Sequence, residues 1–208
     1  MVRLAYIEPI FMELKQEKTF VLIKPDGVKR GLVGEVILRI ERSGLKIVAI
    51  EMTCASVELI NEHLPKEETW IARLGEKTLS TYEKYGLDAK KELGTDDKLT
   101  IGKMVRGWLI DYLSSAPILK MVVEGVHAID MVRKIAGHTI PAFAERGTVR
   151  GDFSVDSAAS ANREKRAIYN LMHASETPAE AAHEIELWFG NAQICAYQRT
   201  DENLGINN

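Results

Sequence analysis

Residues 19–24, Thr-Phe-Val-Leu-Ile-Lys, form an unbroken β-rich apolar run closed by Pro25, Asp26 and Gly27. Such a run reads as a buried strand, with a lysine at its end. A lysine that closes a buried strand is expensive to desolvate unless it meets an anion. The rest of the chain supplies what must cover that strand. Val33, Val36, Ile37 and Ile40 recur at helical spacing with Gly44 placed to stop the helix, residues 45–52 form a second strand, and Ser56 opens a short helix through about His63. Residues 65–103 are charged and mostly helical in pattern, with a Gly-Thr-Asp-Asp turn at 94–97. A helix follows at 104–113, a strand at 117–125, and a helix at 127–137 in which Ile129, Val132, Arg133 and Ala136 share a side. With a fourth strand around Tyr169 to Met172, the pattern is a β-α-β-β-α-β sheet with helices on one face.

The length of 208 residues, 46% hydrophobic and 27% charged, suits one sizeable domain with insertions. A net charge of −3 excludes a bulk electrostatic grip on nucleic acid, so an anion site has to be built from a few local cations. Cys54 and Cys195 are too few for a disulfide framework and form no zinc pattern, which fits a reducing cytoplasm. No apolar run is long enough for a membrane helix, and Glu8 and Pro9 interrupt the segment where a signal peptide would be apolar. Neither a Gly-x-x-x-x-Gly-Lys-Ser/Thr loop nor a Gly-x-Gly-x-x-Gly turn follows a strand, which excludes P-loop and Rossmann phosphate chemistry.

The chemistry concentrates in residues 169–184, YNLMHASETPAEAAHE. Thr177, Pro178 and Glu180 predict a capped helix starting at Pro178, Glu180 closing a capping box. Ala181, Ile185, Trp188 and Phe189 give that helix its apolar face, and Glu184 at the edge of this face is placed to lean back over His173. Upstream, the polar stretch 137–153 (GHTIPAFAERGTVRGDF) carries Arg146 and Arg150 in a loop long enough to be functional.

Three strings, KPDGV at 24–28, TVRGDF at 148–153 and N-x-x-H-x-S at 170–175, occur once each and in this order. In them, and over most of residues 19–190, the chain resembles the nucleoside diphosphate kinases. The resemblance implies an α+β fold, a ferredoxin-like β-α-β-β-α-β sandwich with helical insertions at about 65–103 and 154–168 in a domain spanning 19–198. An extension (1–18) and a tail (199–208) flank that domain. It implies phosphoryl transfer from a nucleoside triphosphate such as ATP to a nucleoside diphosphate through a phosphohistidine on His173. Lys24, Ser175 and Glu184 would assist, and Lys24, Leu64, Arg133, Thr139, Arg150 and Asn170 would hold the nucleotide, with Mg²⁺ carried on its phosphates. Thr148 and Asp152 would shape the turn that presents Arg150. A homo-oligomer, hexameric by resemblance, is expected, with no nucleic-acid or membrane partner.

The chain departs from the family pattern at Ala174 and Glu176, where the family has glycine and aspartate, and at Leu64, where it has a tyrosine. The phenylalanine that stacks on the base has no assigned counterpart; Trp70 is a candidate. Ten or so extra residues between Phe153 and Asn170 predict a short exposed helix or mobile flap, Ala158 to Ala167, which would act as a lid. Drift of this kind would also suit a non-catalytic nucleotide-binding or regulatory relative, against which the retained polar groups argue. A nucleic-acid module on the same scaffold would need exposed sheet aromatics and a basic face, which the aliphatic strands and negative charge do not provide.

Overall fold

The computed structural model describes residues 16–190 and 194–200. The expected extension falls mostly outside these residues, as does most of the tail. Strand β1, Gln16–Ile23, begins three residues before the apolar run. It is followed by α1 (Pro25–Lys29), α2 (Val33–Arg42), β2 (Lys46–Thr53), α3 (Val57–His63), α4 (Glu68–Lys84), α5 (Ala89–Leu93) and α6 (Lys98–Ser114). Next come β3 (Ile118–Val126), α7 (Ala128–Ala136), a 3₁₀ turn at Pro141–Phe143, α8 (Val149–Phe153), α9 (Ala158–Arg163), β4 (Met172–Ala174) and α10 (Pro178–Phe189).

The four strands form one antiparallel sheet in the order β2-β3-β1-β4. Helices cover both of its faces rather than one. Val21 and Ile23 point from β1 into a core with Val36 and Ile40 of α2 and Val132 and Ala136 of α7. Phe20 and Leu22 point the other way, into Ile60 of α3, Leu113 of α6 and Trp188 of α10. Burial on both sides is why β1 reads as a continuous apolar run instead of an alternating one.

The helix expected at 104–113 is the second half of a longer one. Asp97 caps it by accepting the Thr100 amide at 2.8 Å, so α6 starts at Lys98 and the supposed boundary near 103 lies inside it. It packs on α4 with the two backbones in contact. A Cβ added to Gly75 would stand 1.8 Å from the Lys98 carbonyl oxygen, and one added to Gly102 would stand 1.9 Å from that of Ile71. Only glycine permits this approach. Tyr82, Ala89, Leu93 and Ile101 give the helical insertion a small core of its own.

One further expectation changes. Segment 154–168 is not an exposed flap: α9 packs on α4, Ala161 and Ala167 are buried, and the Tyr82 hydroxyl donates to the Asn162 carbonyl at 3.4 Å. Its few alanines suffice because α4 lies against α9 and Ala167 reaches the core beneath the sheet. After α10, residues 194–199 run irregularly beside β2, where the Cys195 amide donates at 2.8 Å to the Val48 carbonyl at a register shift.

Candidate active site

His173 sits in β4, not at the end of a preceding strand, and faces Leu22 of β1 in register. Tyr169 to Leu171, expected as strand, form a bend. Leu171 has φ 69°, a left-handed conformation costing about 1–3 kcal/mol for a residue with a side chain. The bend is held from both sides. The Leu171 amide donates to Asp26 Oδ2 at 3.1 Å, its carbonyl accepts the Lys24 amide at 2.8 Å, and Tyr112 of α6 donates a short hydrogen bond to the same carboxylate. Asp26 and Tyr112, absent from the expected site, therefore set the backbone that carries His173. The Lys-Pro-Asp-Gly string contained that signal in its aspartate.

Helix α10 begins at Pro178 with the Thr177 hydroxyl accepting the Glu180 amide at 3.1 Å, as the sequence predicts. The reciprocal bond lands one residue early, on the Glu176 amide at 2.7 Å. This start puts Glu184 two turns in, buried and facing the sheet. His173 Nε2 lies 2.7 Å from Glu184 Oε1, and Ser175 donates its hydroxyl to Oε2 at 2.6 Å. Burial raises the affinity of Glu184 for a proton, but the bond and charge of His173, together with His63 and Ser175, outweigh it and hold the carboxyl below its ordinary value. A carboxylate accepts only, so it fixes the proton on Nε2. Nδ1 is left with its lone pair and forms no hydrogen bond among the described residues, while the ring lines a cavity of about 670 Å³.

His63, the last residue of α3, stands beside the catalytic ring. Its ring lies edge-on to His173 with centroids 5.0 Å apart, and Trp188 Nε1 donates to its Nδ1 at 3.2 Å. Burial and the charges of His173 and Lys24, only partly countered by Glu184, lower its pKa to about 3. It is therefore neutral, and the 3.3 Å approach of Nδ1 to Glu184 Oε1 is a packing contact rather than an ion pair. His63, His173 and Glu184 form the one cluster of three metal-type donors among the described residues, but its nitrogen-rich set does not suit Mg²⁺, which takes oxygen.

The cations come from three other elements. Lys24, at the turn from β1 into α1, donates to Asn170 Oδ1 at 2.7 Å, and Asn170 Nδ2 donates to the Thr139 carbonyl at 2.8 Å. Burial and the nearby Arg150, against the pull of Asp26, lower the Lys24 pKa to about 8. Arg150 lies in α8, which Thr148 caps by accepting the Gly151 amide at 3.1 Å, while Asp152 binds the Gly147 amide at 2.9 Å and Arg39 at 2.7 Å. Its guanidinium donates to the backbone carbonyls of Asn170, Gly137 and Met172 at 3.1, 2.6 and 2.7 Å. Burial and Arg133 lower its pKa to about 10. Among the described residues no carboxylate forms an ion pair with Lys24 or Arg150, so a half-buried lysine and a buried arginine face the cavity with Asp26 acting on them only at longer range.

The remaining expected residues are placed less simply. Arg133 lines the cavity but is half-exposed and bound to Glu176 at 2.9 Å. Thr139 lines it with its carbonyl already used. Leu64 is buried against the core below α3 and offers the cavity no hydroxyl. Trp70 stands on the same wall.

Residues 17–70 and 100–194 match the family described as "Nucleoside diphosphate kinase". The nucleoside diphosphate kinase of Pyrobaculum aerophilum is 45% identical over 86% of this chain and 97% of its own, and that of Borreliella burgdorferi 38% identical over 89% and 95%. The crystal structure of the NDP kinase from Pyrobaculum aerophilum superposes with a TM-score of 0.85 at 42% identity, covering 88% of this chain and all of that one. A transition-state mimic of the Borreliella enzyme with bound vanadate and ADP gives 0.70 at 36% identity, covering 90% and 95%. A histidine with one nitrogen held and one open, flanked by two cations that no carboxylate pairs directly, thus lies in a sequence and fold shared along nearly their whole length with these enzymes: the chain belongs to the nucleoside diphosphate kinase family.

Proposed function

We propose that the protein transfers the γ-phosphoryl group of a nucleoside triphosphate to a nucleoside diphosphate by way of a phosphohistidine on His173. The observation that carries this reading is the pairing of Nε2 with Glu184, which leaves Nδ1 open beside Lys24 and Arg150. In the first half-reaction the Nδ1 lone pair forms a bond to the γ-phosphorus as the bond to the β,γ-bridging oxygen breaks, and nucleoside diphosphate departs. Positive charge developing on the ring is delocalised towards Nε2–H and met by Glu184, which Ser175 holds in place. A second diphosphate then reverses the step with its terminal oxygen as the nucleophile. Lys24 and Arg150 stabilise the charge spread over the transferring oxygens, and Arg133 joins them once nucleotide phosphates displace Glu176. Mg²⁺ enters as part of the nucleotide substrate.

Incubation with γ-labelled ATP tests the reading. An acid-labile, alkali-stable label that discharges onto added diphosphates is expected. Absence of any label on folded protein would favour the non-catalytic relative instead.

The same geometry predicts a pH profile. In the empty site Lys24 is charged below pH about 8 and neutral above it. Phosphorylation of His173 should therefore lose kcat/KM as pH rises through about 8, and Lys24→Arg, which stays charged, should remove that limb. An alkaline limb unchanged in Lys24→Arg would assign it to another group.

We also propose a homo-oligomer, a hexamer. Support comes from β2, an edge strand on which Ile50 and Met52 are 48% and 55% exposed next to Val57 at 51%. Light scattering should give about six times the 23.3 kDa chain mass; a monomer at micromolar concentration would remove the proposal. A cytoplasmic location is consistent with the two unpaired, exposed cysteines, Cys54 and Cys195, and no helix is long and apolar enough to cross a membrane.

A further inference from the structure

His63 of α3, His173 of β4 and Glu184 of α10 converge from three elements on one point. One ring nitrogen of each histidine and a carboxylate oxygen lie within 4.8 Å of one another. His63 Nδ1 stands 3.3 Å from Glu184 Oε1, and His173 Nε2 stands 2.7 Å from the same oxygen. All three side chains line the cavity of about 670 Å³, which gives an ion a way in and a water a place beside it. The two contacts differ in kind. The shorter one holds a proton, on His173 Nε2. The longer one holds none: His63 Nδ1 accepts from Trp188 Nε1, so its lone pair and the carboxylate are two electron-rich atoms set against each other.

A cation between those atoms turns their opposition into attraction. Tetrahedral zinc holds nitrogen and oxygen at about 2.0–2.2 Å, which sets neighbouring donors about 3.3 Å apart. His63 and Glu184 already stand at that separation, and only the contact of His173 with Glu184 has to open to match it. Two imidazoles and a carboxylate, with a fourth position left to water, suit ions that seek nitrogen rather than Mg²⁺. We propose that His63, His173 and Glu184 form an inhibitory site for a nitrogen-seeking divalent cation of the Zn²⁺ or Cu²⁺ class, separate from the Mg²⁺ that travels on the nucleotide. Binding expels the Nε2 proton to solvent and puts the metal in its place. The ring's electrons are then drawn towards a Lewis acid, Glu184 no longer meets the charge that develops on the ring, and Nδ1 attacks phosphorus poorly. The charge of Lys24, which reaches His63, opposes a further cation and keeps the binding reversible.

The site stands on geometry, its effect on transfer rests on the kinase reading, and two readouts keep them apart. The first uses Co²⁺ as the probe in full-length protein without nucleotide, because tetrahedral coordination gives the ion a strong visible absorption. A saturable band is expected, with the affinity lowered at least about tenfold in His63→Leu. The second times label incorporation from γ-labelled ATP at saturating Mg²⁺ with free Zn²⁺ buffered at fixed levels. Each variant is compared with its own zinc-free rate. Zn²⁺ should slow the wild-type protein, and His63→Leu should need about tenfold more for the same effect. Trp188→Phe removes the indole hydrogen that occupies His63 Nδ1 and should be inhibited at lower Zn²⁺ than wild type, a shift in the opposite direction that no folding defect at His63 can imitate. Wild-type protein that takes no label without zinc defeats the kinase reading, and the Co²⁺ titration then decides the site by itself. Co²⁺ bound equally by wild type and His63→Leu would overturn the proposal. So would zinc inhibition that neither His63→Leu nor Trp188→Phe shifts, since the ion would then act from the nucleotide or from another histidine.

Discussion

His173→Ala is expected to reduce exchange between nucleotides by at least about 10⁵-fold, roughly 7 kcal/mol at 1.36 kcal/mol per tenfold, with the fold intact. Nucleophilic catalysis through a covalent intermediate has no partial substitute when the attacking atom is gone. The neighbouring histidine does not take over: His63 is neutral, but its Nδ1 accepts from Trp188 and it is buried behind the catalytic ring. Structural cost should be small, because the His173 side chain is partly exposed on an edge strand and Glu184 retains Ser175 as a donor. Circular dichroism and a coupled nucleotide assay on the same preparation check both halves of the expectation. Exchange at even a hundredth of the wild-type rate would place the nucleophile elsewhere.

Arg150→Ala is the second large effect. The guanidinium is gripped by three carbonyls and has no counterion among the described residues, so it is positioned before substrate arrives and acts in a site largely shielded from water. Loss of about 10²–10³-fold in the rate of His173 phosphorylation, or about 3–4 kcal/mol, is expected, chiefly in kcat. Part of any loss could be structural, since the same carbonyls shape the strand carrying His173. Arg150→Lys separates the contributions: it restores charge without the fork and should recover only part of the rate. Glu184→Ala, which leaves the attacking nitrogen in place, should cost less, about 10–100-fold, or about 1.4–2.7 kcal/mol. Rapid-quench measurement of label incorporation orders the three variants. An Arg150→Ala protein phosphorylated at the wild-type rate would remove this loop from the mechanism.

How far the sequence carried can be judged residue by residue. The strand before Lys24, the cap at Thr177 and the reach of Glu184 to His173 were legible because each follows from local rules, namely an apolar run, a hydroxyl before Pro178, and helical spacing. The Nε2 partner, and with it the open Nδ1, was not legible, since it depends on how α10 is set against β4. The sheet's second covered face was misread because the helix period of α3 and α6 does not say which side of the sheet they pack against. Segment 154–168 looked too polar for an interior position. Counting its few alanines could not reveal that α4, more than seventy positions earlier in the chain, provides the matching surface. His63 gave no signal beyond being a histidine, and the hold of Asp26 on Leu171 joins residues 145 positions apart.

Lys24 and Arg150 serve phosphate, but their lack of a directly paired carboxylate also concerns the protein before phosphate comes. Two like charges drawn partly out of water, met by dipoles and only at longer range by Asp26, leave the empty form less stable than its apolar core would permit. Occupancy should therefore act as a fold stabiliser in its own right: polyanions as plain as inorganic triphosphate would raise the melting temperature, and increasingly so with concentration. In a cell, the supply of nucleotide would then help set how much of this protein persists as well as how fast it works.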